Sequence, residues 1–313
     1  PAPRRNPRPG EDSNVRRREF VGLAGTALFQ VGTGSLFDMD EIAAALTRYA
    51  GGGQEAVHQV TSLRELARRT HTAKAGYQAC QYTTVAKRLP GLLRGLDDAV
   101  SSVEGDEVAR VHALRAEAYH VAASLLLKCE ERGLSYLAAD RSMRAAEASE
   151  RPAVVGASAR AFTRALMRER HYKAATELAT STAERVDAAM EQPTPESLSV
   201  YGSLLLSGAV SAAKSENRGQ ALSLLNEAGD AGERLGGDFN YQWTAFGPTN
   251  VLLHRVSAAV EMGDAGSAID YARQVRLENI EVMERRVTLF IDAARAYQQW
   301  GKTEQAYQAL RNV

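Results

Sequence analysis

Arg160, Arg164 and Arg168 recur every four residues in the segment RAFTRALMRER. On a helix that interval places three guanidinium groups on one face. Like charges so placed repel, so something must neutralise them: Glu169, acids on a neighbouring helix, or an anionic ligand. The arginine fork matches carboxylate and phosphate oxygens pairwise, which gives the ligand reading its chemistry. Similar side chains recur elsewhere in helical register: Lys74, Tyr77 and Gln78, then His120, Lys214, Ser257 and Arg295. Asn250 adds an amide that donates and accepts at once, as the reading of a peptide bond requires. It follows Gly247-Pro248-Thr249, where the same side chain can instead cap a helix start. Together these groups suit recognition of an acidic small molecule or a peptide.

They do not suit catalysis. The sequence has no P-loop, no GxGxxG, no GxSxG elbow and no HExxH. Its carboxylates fall on charged helix faces such as Asp97-Asp98 and Glu130-Glu131, with nothing pairing them for acid–base work. His120 and His254 stand singly, and Cys80 and Cys129 have no second Cys or His at ligand spacing. The expectation is a non-enzyme with no cofactor, no metal and two reduced, buried thiols. Lys and Arg number 38 and Asp and Glu 38, so a surface given over wholly to nucleic acid is excluded while a local basic patch is not. Trp243 and Phe246, before the FGPTN turn, read as staples that fix this loop to the rest of the chain.

The elements that must position these groups are helices. Aromatics are only 6% of the chain, and Ala and Leu dominate its long periodic segments. From about residue 40 the helical period runs to the end. A small–aromatic–turn–small–large order runs through FIDAARAYQQWGKTEQAYQAL as Ala294, Tyr297, Gly301, Ala306 and Leu310; LLHRVSAAVEMGDAGSAIDYARQV is aligned to it through Leu252, Ala259, Gly263, Ala268 and Ala272, its turn glycine 301 − 263 = 38 residues earlier. Weaker copies precede them, with turns near Cys80 and Gly133. The pattern predicts an all-α fold: a right-handed superhelical solenoid of about six tetratricopeptide-like helix pairs. The pairs are placed near 63–100, 106–149, 152–190, 196–236, 246–278 and 284–312, with 1–40 as a linker and N-terminal segment and 41–313 as the repeat domain. The first helix of each pair would line a concave, net-basic groove. Pro90 reads as a kink or a helix start.

The chain resembles the C-terminal region of actinobacterial helix-turn-helix transcriptional regulators that carry tetratricopeptide repeats. The segments RRREFVGLAG, AGYQACQYTTVAKRLPGLL and TAFGPTNVLLHRVSAAVEMGDAGSAIDYARQV carry the resemblance, FGPTNV most specifically. More loosely, it is similar to peptide-pheromone sensors of Gram-positive bacteria. The resemblance implies a sensory domain that binds a small-molecule or peptide ligand and controls an upstream helix-turn-helix domain. DNA would be bound only through that domain, which these residues do not contain, and two half-sites imply a homodimer. The alternative is a scaffold or adaptor with no small ligand. Pro- and Arg-rich residues 1–15, with no initiator Met, read as a linker in a fragment of a longer protein. Arg16-Arg17-Arg18-Glu19-Phe20 mimics a twin-arginine signal, but only about eleven weakly apolar residues follow it. The expected compartment is therefore the cytoplasm, with no membrane partner.

Overall fold

The computed structural model describes residues 39–48 and 61–313. Residues 1–38 of the expected linker and N-terminal segment, with the whole of RRREFVGLAG, lie outside them. Among the described residues the fold is all-α, with thirteen α-helices packed consecutively. These are α1 (Met39–Thr47), α2 (Leu63–Gln78), α3 (Tyr82–Val100), α4 (Asp106–Lys128) and α5 (Arg132–Ala148). They continue through α6 (Pro152–Arg168), α7 (Tyr172–Ala188), α8 (Pro195–Lys214) and α9 (Arg218–Leu235). The last four are α10 (Pro248–Glu261), α11 (Ala265–Gln274), α12 (Met283–Gln299) and α13 (Thr303–Leu310). Among the described residues no helix is long and apolar enough to cross a membrane.

From α2 onward the helices form six hairpins, and one turn geometry builds every hairpin. The chain reverses through a residue in the left-handed region: Cys80, Glu130, Arg170, Glu216, Gly263 and Gly301, at φ 58°, 62°, 65°, 63°, 73° and 77°. In each case the next N–H reaches back five residues to a carbonyl that the helix end would leave unpaired. The six bonds are Gln81 to Gly76, Glu131 to Leu126, His171 to Leu166, Asn217 to Ala212, Asp264 to Ala259 and Lys302 to Tyr297, all 2.8–3.0 Å. The following helix starts at the next residue. Four of the six turns place a side chain where glycine is favoured, at a cost of about 1 kcal/mol each. This moves the second turn from the expected Gly133 to Glu130; Gly133 lies in the first turn of α5. Pro90 neither starts nor ends a helix but sits inside α3.

The first helices of the hairpins pack on one another: α2 on α4, α4 on α6, α6 on α8, α8 on α10 and α10 on α12. Small side chains allow that approach. Ala116, Ala122, Ala159, Ala161, Ala209, Ala212 and Ala258 are all buried. At Gly156 of α6, an added Cβ would overlap Val200 of α8. The row also closes on itself, because α12 contacts α2.

Between α9 and α10 the chain makes a loop that no hairpin contains. Gly236 ends α9 in the left-handed region, and Phe239 and Phe246 pair as an isolated antiparallel bridge, with Phe239 N–H donating to Phe246 at 3.0 Å. The Phe246 ring is fully buried against the Cα of Gly202 in α8. A methyl at position 202 would overlap the ring. Gly202→Ala should therefore destabilise the fold by about 1–3 kcal/mol, read as a lower denaturant midpoint with an unchanged slope.

Candidate functional site

The same loop packs against α2 and α6. Gln78 at the end of α2 exchanges hydrogen bonds with Asn240: Gln78 Nε2 donates to Asn240 Oδ1 at 3.2 Å, and Asn240 Nδ2 donates to Gln78 Oε1 at 2.7 Å. Gln78 Nε2 also donates to the Trp243 carbonyl at 3.3 Å, and a guanidinium N–H of Arg160 donates to that carbonyl at 3.4 Å. The Trp243 indole meets His71 edge-on at 4.8 Å and has Lys74 Nζ 5.6 Å from its ring centre. These contacts hold Gln242, Trp243 and Ala245 at φ 49°, 59° and 49°, a run of left-handed residues that disfavours itself by about 1–3 kcal/mol per residue. Trp243 thus does more than brace its own loop; it walls the chamber.

Beneath the loop lies a cavity of about 40 Å³, lined by Lys74, Tyr77, Gln78, His120, Ser124, Arg160, Arg164, Trp243, Glu284 and Arg285. That volume holds a few waters or a small anion. Six of the residues singled out in the sequence meet here: Lys74, Tyr77, Gln78, His120, Arg160 and Arg164. Their helices α2, α4 and α6 are adjacent in the row, which is what brings them together.

The chamber is cationic. Lys74 is 4% exposed and pairs with Glu117 at 3.3 Å; burial nonetheless lowers its pKa. Arg164 donates to Ser124 Oγ at 2.7 Å and to His120 Nε2 at 3.3 Å. A nitrogen that accepts carries no proton, consistent with a His120 pKa pushed well below its ordinary value by burial, then Arg160 and Arg164. Arg160 is 5% exposed and makes no ion pair among the described residues. Burial first, then Arg164 and Arg285, act against its charge, and its Nε is without a partner.

Glu284, the second residue of α12, is the chamber's own anion. Lys128 Nζ lies 2.9 Å from its Oε1, and Arg285 3.8 Å from its Oε2. Burial alone would raise the Glu284 pKa; Lys128 and Arg285 outweigh it and hold the carboxyl well below the usual range. Burial likewise opposes charge on Lys128, but Glu284 holds it above its ordinary value.

The remaining expected residues lie elsewhere. Arg168 pairs with Glu130 at the turn of the second hairpin, the ordinary neutralisation of a helix face. Lys214, Ser257 and Arg295 form a separate network across α8, α10 and α12. Glu261 accepts from Lys214 and Arg295 at 2.9 Å, and Asp292 accepts from Arg295 at 3.1 Å and from Ser257. Cation and carboxylate are matched there, leaving no charge to offer a ligand. Asn250 faces a neighbouring cavity that shares Val282 and Arg285 with the chamber. It does not cap α10: Asp238 accepts from Thr249 N–H at 2.9 Å and from its hydroxyl at 2.6 Å.

Sequence reasoning missed Lys128, Glu284 and Arg285. Glu284 lies 156 residues from Lys128, and the stretch MERR reads as an ordinary charged helix start. Cys80 and Cys129 are free and half-buried, and no cluster of metal-ligating side chains occurs among the described residues. No protein-family model matches the chain, and no curated protein matches it.

Two outcomes follow. Glu284→Gln strands several buried cations and should lower stability by about 3–5 kcal/mol; Lys128→Met leaves Arg285 beside the carboxylate and should cost less. Denaturant unfolding of the two variants checks the order. His120 and His254 are both held below their unfolded value, His254 to about 3 by burial and then Arg285. The unfolded chain therefore binds more protons below pH 6.5, and stability must fall as pH drops from about 6.5 to 5, by up to ~1.4 kcal/mol per pH unit for each histidine. Melting temperature across that window should flatten in His120→Gln/His254→Gln.

Proposed function

We propose that this chain is a ligand-sensing regulatory domain whose chamber binds a small anionic molecule and whose response is passed to a DNA-binding domain outside these residues. The observation that carries the reading is Arg160: a guanidinium 5% exposed, with no carboxylate partner among the described residues and with other cations as neighbours. A buried charge left uncompensated is disfavoured by several kcal/mol, and a bound carboxylate or phosphate relieves it. The six repeated hairpins are read as tetratricopeptide-like pairs forming a right-handed superhelical solenoid, and the sequence resemblance supplies the regulatory context. Exposed Trp300 and Tyr307 on the terminal hairpin suit a two-fold contact.

The route for a response is physical. Glu284 joins α12 to α4 through Lys128, and α12 rests on α2. An anion entering the chamber competes with Glu284 for the same cations. Releasing Glu284 would loosen the last hairpin from the first two, an element with two arrangements that a ligand can bias.

Melting temperature measured with inorganic phosphate, citrate and succinate at constant ionic strength tests this reading. A binding anion at a hundredfold over its Kd should add about 2.7 kcal/mol, a rise of several degrees. The rise should vanish in Arg160→Met. No anion effect beyond ionic strength, together with a co-purifying partner protein, would favour the scaffold reading instead.

A further inference from the structure

Asn250 is 3% exposed, and neither its Oδ1 nor its Nδ2 has a partner among the described residues. Each buried orphan of this kind is disfavoured by about 1–3 kcal/mol. Its neighbours at this helix start are used: Asp238 caps it through Thr249, and the Asn250 carbonyl accepts from His254 Nδ1 at 2.9 Å. Asn250 lines a cavity of about 40 Å³ whose other walls include Leu253, Ile280 and Val282, the carboxylates Asp238 and Glu281, and the guanidinium of Arg285. A donor and an acceptor on one planar edge, flanked by apolar and by charged side chains, select a group carrying the complementary pair on one edge.

We propose that this cavity is a second binding site, separate from the Arg160 chamber, which takes a primary carboxamide or a lactam bearing a nearby carboxylate. The ligand N–H donates to Asn250 Oδ1, its carbonyl accepts from Asn250 Nδ2, and its carboxylate meets Arg285. A trans peptide bond points its N–H and C=O to opposite sides and cannot make both bonds, so the site discriminates against ordinary peptide backbone. The volume accommodates about three or four non-hydrogen atoms, the size of an amide group with one carbon beside it. The rest of the ligand extends toward Phe239, which is 43% exposed.

Calorimetric titration with two probes of nearly equal shape tests the site. Pyroglutamate carries a lactam and a carboxylate; cyclopentanecarboxylate carries the carboxylate alone. Pyroglutamate should bind the wild-type chain at least about tenfold more tightly, because a site with buried polar groups rejects the analogue that leaves them unpaired. Asn250→Leu should lose at least about tenfold in pyroglutamate affinity while melting higher than wild type, since both orphan groups are gone. Asn250→Asp, which exchanges the donor for an acceptor, should lose a similar factor and covers the case in which the leucine variant does not fold. Arg160→Met should change pyroglutamate affinity by less than about twofold, so failure of the chamber and failure of this site are told apart. Equal affinity for the two probes, no binding of pyroglutamate, or undiminished binding by both Asn250 variants overturns the proposal.

Discussion

The arrangement rests on one buried carboxylate. Glu284 sits among Lys128, Arg285 and Arg164, three cations that attract it strongly enough to overcome the penalty of its own burial. Without it, the inner faces of α2, α4 and α6 would bring Lys74, Arg160 and Arg164 together with only Glu117 to answer them. The same residue begins α12 and pairs with a helix of the second hairpin, so neutralising the chamber and closing the row of helices are one event. That coupling makes the electrostatics of the chamber a determinant of shape. The 38 basic and 38 acidic residues balance over the whole chain, so the local excess of cations at the chamber is offset by acidic residues elsewhere.

The loop from α9 to α10 supplies neutral partners to the chamber's cations. It offers a backbone carbonyl to Gln78 and Arg160 and an aromatic face to Lys74. Those are neutral acceptors, weaker partners for a guanidinium than an oxyanion. Phe246 anchored under the loop at Gly202 and Asn240 locked to Gln78 help to hold its left-handed residues. A segment held in sparsely populated backbone states by a few identifiable contacts can change state when one of those contacts is exchanged.

Helical period alone was enough to reveal the class of fold, because buried alanines and leucines recur wherever one helix faces another. Turn placement was less legible. Gly263 and Gly301 announce their turns, whereas Glu130, Arg170 and Glu216 adopt the same backbone with side chains that carry no such signal. The site was half legible for a related reason. Lys74, Gln78, His120, Arg160 and Arg164 share helix faces, so register alone grouped them. Glu284 and Trp243 enter from distant parts of the chain, and no periodicity connects them to the residues they touch. Lys214, Ser257 and Arg295 fitted the same register, but their carboxylate partners on α10 and α12 satisfy them internally. Asn250 had two readings in sequence; Asp238, eleven residues before Thr249 across the loop, takes the capping role.

A resident carboxylate also bears on what an incoming anion must be. Glu284 is tethered, so it competes at an effective concentration of order mM or above regardless of the solution outside. A free monocarboxylate offers the cations nothing that Glu284 does not, and must also give up its own freedom of motion on binding. An anion with more charge, or with a third oxygen able to reach the unpartnered Arg160 and Arg164 nitrogens, gains contacts that Glu284 cannot make. Only that difference in contacts can move the equilibrium. For an anion sensed in the chamber, these contacts therefore favour phosphate-like or polycarboxylate chemistry over simple acids. It also makes the response depend on how firmly Lys128 retains Glu284, since that pair sets the threshold the ligand has to exceed.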